Sequence, residues 1–244
     1  MKLSVIICTR DDSKWEAVRA HYSLLLARVD HEIIRMPNDG TPIAARYNRG
    51  FKQSKGELII FSHDDVEFLN PATFAPRLID HMKESACVGI AGTNRLVGPG
   101  WVNAGLGFIF GHVANPQDDG FSVCVFGPQR LGDVQALDGL FMCCRREVAE
   151  KVAWDGQTFD GWHGADIDWS YRVHLAGFSM SVVTDLHCLH ASRGDFGEAW
   201  AYAGRKLMKK FGNKIQLMPQ RASQFAWVVV PTVEDVLAVM TATA

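Results

Sequence analysis

An apolar run that ends abruptly in a histidine and two carboxylates constrains this chain more than any other feature. Residues 58–61 are continuously apolar, as is typical of a strand buried on both faces of a parallel sheet, and His63, Asp64 and Asp65 follow almost at once. In open α/β sheets, ligands bind at the carboxyl ends of the strands, where such carboxylates face a crevice that accommodates a cation and a phosphorylated ligand. The alternative is that Asp64 and Asp65 are turn residues before the next helix.

Strand and helix patterns alternate through the first part of the chain. Apolar runs predict strands at residues 3–8, 32–35, 58–63 and 87–91. Helices are predicted from Ser13 to about residue 27, from Thr41-Pro42 to residue 54, and after Pro71. Ser13 and Glu16 form a capping box, and proline suits the first position of a helix. This rhythm predicts an α/β fold with a Rossmann-like, mostly parallel sheet flanked by helices.

The rhythm breaks at residues 93–134, which hold eight of the 22 glycines. A long glycine-rich stretch of this kind predicts a functional flap or a smaller antiparallel excursion from the main sheet. Gly105, Gly107 and Gly111 do not form a dinucleotide-binding loop, because their spacing differs from that motif and no strand-to-helix unit encloses them.

Composition and charge exclude several classes of protein. The chain has 244 residues and a formal net charge of −2, whereas a general nucleic-acid binder needs a basic face. No apolar run approaches the ~20 residues of a transmembrane segment, so we expect a cytoplasmic protein. The six cysteines lack CxxC spacing, which indicates reduced thiols rather than a zinc site. The basic run at residues 205–214 either complements the dipole at a helix end or binds an anionic acceptor or membrane surface.

A second group of chemically active residues follows the glycine-rich stretch, at Asp138-Gly139 and at residues 162–169. Residues 165–176 have the length of a helix. Asp166 falls in the first turn of that helix, where the dipole favours an ionised carboxylate. The sequence therefore predicts that Asp166 can act as a base.

The neighbouring polar residues have simpler interpretations. Asp168 lies four residues before Arg172 on the same helix, so an intrahelical ion pair accounts for both. His187 and His190 follow a strand predicted at residues 178–183. Either could be a core histidine, but two histidines at the end of one strand favour a metal ligand, because neutral imidazole commonly binds metals.

Several short motifs occur in this sequence in a characteristic order and spacing, and together they are more specific than any one of them alone. They are residues 4–10, residues 45–50 followed by 55–61, His63-Asp64-Asp65 in the place of a DxD motif, Asp166-Ile167-Asp168-Trp169 with Arg172 and Gly177, and His190. This set resembles the inverting family-2 glycosyltransferases, and more narrowly their prokaryotic glycosyltransferase 2-like branch. The resemblance covers residues 2–192.

The resemblance implies an A-type glycosyltransferase fold and a role for each matching residue. Asp166 would be the catalytic base, and Asp65, His190 and His63 would bind Mn²⁺ or Mg²⁺. The residues implied for nucleotide binding are Thr9, Arg10, Asn38, Arg46 and Asp64. Those implied for the acceptor or sugar are Trp101, Asp138, Gly139, Trp162, His163 and Asp168.

The implied activity is metal-dependent, inverting transfer of a hexosyl group from a nucleotide diphosphate sugar, with UDP favoured. The acceptor would be the hydroxyl of a sugar or of a lipid-linked glycan, in glycan or polysaccharide biosynthesis. Residues 1–92 would form the nucleotide-binding half of one domain and residues 93–192 its acceptor half. Residues 193–244 would form a C-terminal helical extension that mediates a homodimer.

The sequence departs from the family pattern at three places. His63 replaces the first acid of DxD, Ala165 replaces the first acid of the base motif, and residues 35–38 lack the acid that usually lies near the nucleotide base. Two alternatives remain open at this point. One is a nucleotidyltransferase that forms nucleotide sugars, and the other is a non-catalytic module that binds a sugar or nucleotide.

Overall fold

The secondary structure is given by a computed structural model that describes residues 1–192, 194–215 and 225–244. The strands are β1 (Lys2–Thr9), β2 (Asp30–Pro37), β3 (Leu58–Ser62), β4 (Val66–Phe68), β5 (Cys87–Gly89), β6 (Ala91–Thr93), β7 (Ile109–Gln117), β8 (Gly120–Gly127), β9 (Ala136–Leu137), β10 (Phe141–Arg145), β11 (Met180–Val182), β12 (Cys188–His190) and β13 (Ala226–Val230). The helices are α1 (Asp12–Leu25), α2 (Ile43–Gln53), α3 (Pro71–Glu84), α4 (Arg146–Lys151), α5 (Ala165–Leu175), α6 (Glu198–Phe211) and α7 (Val233–Ala242), and a 3-10 turn spans Trp101–Ala104.

The main sheet has the strand order β11-β5-β10-β3-β1-β2. Strands β2, β1 and β3 are parallel, as are β5 and β11, which confirms the mostly parallel α/β architecture. Strand β10 lies antiparallel between β3 and β5, and its presence was not predicted. Its sequence is as apolar as that of its neighbours, so local composition does not reveal its direction.

A second sheet contains the strand order β13-β8-β7-β12-β4, and β6 and β9 pair beside β7. Strands β7 and β8 form an antiparallel hairpin within residues 93–134, which confirms the predicted antiparallel excursion. Strand β12 runs antiparallel to β4, and it thereby brings His190 opposite Val66, just after Asp65. The second sheet is therefore the element that places the distal histidine beside the end of β3.

Two local expectations need correction. Asp11, not Ser13, caps α1, because its carboxylate accepts hydrogen bonds from the backbone N–H groups of Ser13 and Lys14. The C-terminal extension is not purely helical, since β13 pairs antiparallel with β8 and completes the second sheet. Residue 193 and residues 216–224 of that extension lie outside the described residues. No helix within the described residues is both long and apolar enough to cross a bilayer.

An aromatic cluster joins α5 to the main sheet. Trp154 and Trp169 stack with ring centroids 4.9 Å apart and planes 7° apart, and Phe61 of β3 meets both rings edge-on. The indole N–H of Trp169 donates a hydrogen bond to the carbonyl of Val152. Because large aromatic side chains dominate core energetics, this cluster fixes the start of α5 over the end of β3.

Asp168 is fully buried and binds two cations. Its Oδ2 accepts hydrogen bonds from Arg172 at 2.7 and 2.8 Å, and its Oδ1 lies 2.5 Å from Nζ of Lys210 in α6. Lys210 also binds Asp155 at 2.6 Å. The predicted ion pair with Arg172 is confirmed, whereas the predicted contact of Asp168 with an acceptor is wrong, because both carboxylate oxygens face inward and are occupied.

We predict that Asp168→Asn lowers the free energy of unfolding by roughly 3 kcal/mol, because it leaves two cations facing a buried neutral group. Asp80→Asn is the matched control, since Asp80 also pairs with a lysine, Lys83, but 70% of its side chain is exposed. That change should cost at most ~1 kcal/mol. Urea unfolding of both variants makes the comparison, and equal losses would contradict a structural role for Asp168.

Gly56, between α2 and β3, is in close contact with β1. A Cβ at this position would lie 2.5 Å from the backbone nitrogen of Ser4. We expect Gly56→Ala to destabilise the protein by roughly 1–3 kcal/mol through overpacking. Gly98→Ala is the control, because a Cβ there would meet nothing within 4 Å, and it should be neutral or slightly stabilising. Melting temperatures distinguish the two, and a neutral Gly56→Ala would refute the close approach.

Candidate functional site

A cleft of about 1190 Å³ opens at the carboxyl ends of β1 and β3 and extends between the two sheets towards α6. Eleven of the residues predicted for the site line it: Arg10, His63, Asp64, Asp65, Trp101, Asp138, Gly139, Trp162, His163, Asp166 and His190. The volume exceeds the ~300–1,000 Å³ of typical small-molecule pockets.

Two imidazoles and one carboxylate converge at the end of β3. Oδ1 of Asp65 lies 3.3 Å from Nε2 of His190 and 3.9 Å from Nδ1 of His63. The two imidazole nitrogens are 3.4 Å apart, and one ligand atom from each residue lies within 4.8 Å of the others. His187, the alternative ligand, is buried and contacts Asn70 instead. The structure therefore brings His190, and not His187, to Asp65.

The protonation of this cluster suits a cation. Burial opposes ionisation of Asp65, but the hydrogen bond from His190 and the nearby imidazoles hold the pKa of that carboxyl well below its usual range. Burial and the neighbouring His190 lower the pKa of His63, which favours the neutral imidazole that binds metals. A set of two nitrogens and one carboxylate fits Mn²⁺ better than Mg²⁺, since Mg²⁺ strongly prefers oxygen ligands.

Asp166 lies in the first turn of α5, whose N-cap is Gly164 with a φ of 76°. Burial, together with the nearby Asp138 carboxylate, raises the pKa of Asp166 to about 6. The backbone N–H of Gly139 donates a hydrogen bond to Oδ2 of Asp166 at 3.1 Å. A Cβ on Gly139 would lie 2.6 Å from Cβ of Asp166, so only glycine permits this approach. The backbone of Gly139 thus holds the carboxylate of Asp166 in place by a direct hydrogen bond.

Asp138 lies between the acidic centre, which it forms with Asp166, and an aromatic wall formed by Trp101 and Phe126. Its Oδ2 accepts a hydrogen bond from the indole N–H of Trp101 at 3.0 Å. The ring of Trp101 meets Phe126 edge-on, with centroids 4.8 Å apart. The indole N–H of Trp101 therefore binds the carboxylate of Asp138, while its ring packs against the apolar side chain of Phe126.

Trp162 is stacked against two arginines on the opposite side of the cleft. The guanidinium carbons of Arg10 and Arg46 lie 4.0 and 4.5 Å from the Trp162 ring centroid. Arg46 is fully buried and does not line the cleft, and its Nη1 donates a 3.4 Å hydrogen bond to the carbonyl of Pro37. Its predicted direct contact with the nucleotide is therefore not supported, and Arg46 acts on the cleft through Trp162.

Two further residues predicted for nucleotide binding lie outside the cleft. Thr9 is fully buried, and its hydroxyl exchanges hydrogen bonds with the backbone of Asp11. It shapes the turn after β1 instead of reaching a ligand. Asn38 is exposed on the surface beyond β2 and does not line the cleft. The adjacent carboxylate of Asp39 is paired with Arg49 at 2.6 Å.

Sequence reasoning overlooked several residues that line the cleft. Asp11 and Lys14 directly follow β1, so the strand-end rule applied to His63 would have found them. Trp200, in α6, and Phe225, before β13, also line it. They belong to segments distant in sequence, and no local signal indicates that these segments return to the site.

Comparisons with known proteins show the family and the fold of this chain. The family model described as "Glycosyltransferase like family" matches residues 4–211, which includes α6. None of the curated protein sequences compared matches this chain. Among solved structures, the mannosyltransferase PcManGT from Pyrobaculum calidifontis, in complex with GDP-Man and Mn²⁺, is similar at 11% identity and a TM-score of 0.53, over 90% of this chain and 65% of that one.

Two other solved structures are more distant in shape. S. aureus TarS has 14% identity and a TM-score of 0.46, over 85% of this chain and 66% of that one. GalNAc-T7 with UDP, GalNAc and Mn²⁺ has 13% identity and a TM-score of 0.48, over 82% of this chain and 45% of that one. The chain thus spans less than two thirds of the length of these three structures. The family match covers most of the chain, and by that match the chain belongs to the glycosyltransferase-like family.

Proposed function

We propose that this protein is a metal-dependent, inverting glycosyltransferase that moves a sugar from a nucleotide diphosphate sugar to an acceptor hydroxyl. The observation that carries the proposal is the convergence, in one cleft, of the Asp65 ligand cluster and of Asp166 at a helix N-terminus. A cation held by the Asp65 cluster would bind the diphosphate of a donor, and Asp166 would accept the proton of an acceptor hydroxyl. Family membership supports the reaction class.

His63, Asp65 and His190 are the residues that would hold the cation, and the donor set favours Mn²⁺. A divalent cation bound there would neutralise the charge that develops on the diphosphate leaving group. Asp65 and Asp64 repel an unaccompanied diphosphate, so these residues make donor binding depend on the cation. Arg10, which lines the cleft and is stacked on Trp162, would offer its guanidinium to a phosphate of the donor.

Asp166 serves as the general base in this proposal. With a pKa of about 6 it is ionised at neutral pH, yet basic enough to accept a proton as the acceptor oxygen attacks. The hydrogen bond from Gly139 fixes the orientation of its carboxylate. Attack from the face opposite the diphosphate inverts the anomeric carbon through an oxocarbenium-like transition state.

UDP is favoured by the family resemblance, and GDP is the competing nucleotide, because the mannosyltransferase structure was solved with GDP-Man. Six free cysteines suit a reducing compartment such as the cytoplasm. The exposed, apolar β13, with Trp227 and Val229 more than 60% exposed, suits a homodimer through the C-terminal extension.

The two alternative functions predict different observations. A nucleotidyltransferase needs a glycine-rich, basic loop for a triphosphate after its first strand, whereas β1 is followed by Arg10, Asp11 and Asp12. A non-catalytic module would bind the donor without turnover. Release of nucleotide diphosphate from a nucleotide sugar identifies the glycosyltransferase, and release of pyrophosphate from a nucleoside triphosphate with a sugar 1-phosphate identifies the nucleotidyltransferase. A non-catalytic module should give neither product.

Removing Asp65 tests the cation site. We expect UDP or GDP to raise the melting temperature of the protein only with Mn²⁺, and Asp65→Ala to abolish the Mn²⁺-dependent part of that shift. A ligand at 100 times its Kd stabilises by ~2.7 kcal/mol, so the effect is measurable by thermal shift. Asp64→Ala is the control for charge, because Asp64 lies outside the ligand cluster and its loss should leave a Mn²⁺ dependence. Full Mn²⁺ dependence in Asp65→Ala would locate the cation elsewhere.

Asp166→Asn should combine lower activity with higher stability. Loss of the proton acceptor should reduce turnover by ~10²-fold or more. Because the pKa of Asp166 rises on folding from 3.8 to about 6, the folded state binds the extra proton between these values and loses stability as pH rises through them. The variant escapes this loss, so it should be more stable than the wild type by roughly 1–3 kcal/mol at pH 8 and similar at pH 4.

Melting curves from pH 4 to pH 8 without metal, with nucleotide release assayed in parallel, make this measurement. Asp118→Asn, in the exposed turn between β7 and β8, is the control and should change neither quantity. Turnover at the wild-type rate in Asp166→Asn would eliminate Asp166 as the base.

A further inference from the structure

Beyond the carboxylates, the cleft continues along a row of aromatic side chains. Trp101 contacts Phe126 edge-on, and Phe126 contacts Phe225 with ring centroids 4.8 Å apart. A second pair, Phe196 and Trp200, lies across the cleft with centroids 5.7 Å apart. These rings are contributed by four separate segments of the chain, so the tertiary fold assembles the surface.

The position of this aromatic row is tied to the acidic centre. The indole N–H of Trp101 is bonded to Asp138, whose charge helps to raise the pKa of Asp166. On the other side, a Cβ on Gly100 would lie 3.6 Å from Trp200, so α6 faces the segment that carries Trp101. The apolar part of the cleft is therefore continuous with the point where an acceptor hydroxyl must lie.

The chemistry of the row distinguishes two kinds of ligand. A subsite that binds sugars places hydrogen-bonding groups around its aromatic faces, because each sugar hydroxyl that is buried without a partner costs free energy. Phe126 and Phe225 have no polar atom in their side chains, and Val113, Cys124 and Leu207, which also line the cleft, offer no strong donor or acceptor. Such a surface stabilises an apolar group and disfavours a second polar ring.

The exposure of Phe196, which lines the cleft, also favours an apolar ligand. The side chain of Phe196 is 71% exposed at the mouth of the cleft, although a phenyl ring on a free surface gains nothing from this position. A long apolar group lying along the cleft would cover it. We propose that the acceptor is amphipathic, with its hydroxyl-bearing head at Asp166 and an alkyl or prenyl chain along Trp101, Phe126 and Phe225. This inference rests on the proposed function, since it assigns the acceptor class of the same cleft.

The test compares two neutral ligands that share one head group. Octyl β-glucoside, kept below its micelle concentration, and methyl β-glucoside are titrated against the protein, with tryptophan fluorescence as the readout because Trp101 and Trp200 line the cleft. The wild-type protein should bind the octyl compound at least 10-fold more tightly. Equal affinity for the two compounds would overturn the proposal.

Variants then locate the binding surface. Phe196→Ser and Phe225→Ser change side chains that are not fully buried, so folding is retained, and each should weaken octyl binding about 3-fold or more. Trp227→Ser is the matched control, because Trp227 is 69% exposed but lies outside the cleft. Octyl binding that is unchanged in both phenylalanine variants, or lost equally in Trp227→Ser, would refute the assigned surface.

The same protein preparation distinguishes this inference from the proposed function. The melting shift caused by Mn²⁺ with UDP or GDP is measured without any glucoside. If that shift is present and the octyl preference is absent, the acceptor class is wrong and the glycosyltransferase proposal stands. If the octyl preference is present and no nucleotide produces a shift, the apolar subsite stands and the proposed reaction fails.

Discussion

The buried carboxylate of Asp168 is the interaction on which the geometry of the cleft depends. It binds Arg172 within α5 and Lys210 from α6, and Lys210 extends the network to Asp155. A buried charge is tolerated only when its partners are held in place, so the network fixes the two helices relative to each other. Asp166 stands two residues earlier, in the same first turn of α5, and Trp200 lies on α6. One ion network thus orients the proposed base and the aromatic wall together.

Several carboxylates lie close together in the cleft, and their mutual repulsion destabilises the folded state. Asp64, Asp65, Asp138 and Asp166 all line it, and the raised pKa of Asp166 records part of the repulsion. Such clusters are frequent at functional sites, where stability is exchanged for a carboxylate of useful basicity. In the proposed reaction, a bound cation would relieve the repulsion at Asp65, while Asp166 would retain the basicity that proton transfer needs.

The two sheets divide the proposed work between them. The parallel strands β1 and β3 are followed by Arg10 and His63, where the proposed charged donor would bind. The second sheet supplies His190 from β12 and the apolar surface around Phe126 from β8. The cation cluster forms where the sheets meet, because Val66 of β4 pairs with His190 immediately after Asp65. A polar donor and an apolar acceptor group would thus approach the same point from opposite directions.

The sequence by itself determined the elements whose signals are local. The expectation that the helix dipole keeps Asp166 readily ionised is wrong, because burial and the nearby Asp138 raise the pKa of that carboxyl. Three predictions of position are confirmed. The apolar run before His63 predicted a strand that ends at the site, the helix signal predicted that Asp166 lies in the first turn of α5, and the spacing of Asp168 and Arg172 predicted their ion pair. Each depends on neighbours within a few residues, where side-chain periodicity and helix geometry fix the outcome.

Only the tertiary structure decided which distant segments meet. Local sequence does not indicate that β10 inserts antiparallel into the main sheet, or that His190 and not His187 lies beside Asp65. It also does not indicate that Arg46 and Asp168 are buried outside the cleft, or that Trp200 and Phe225 line it. These arrangements follow from strand pairing and packing between segments that are distant in sequence. Short-range propensity carries no information about those contacts, because their free energy comes from surfaces that exist only once the sheets and helices are assembled.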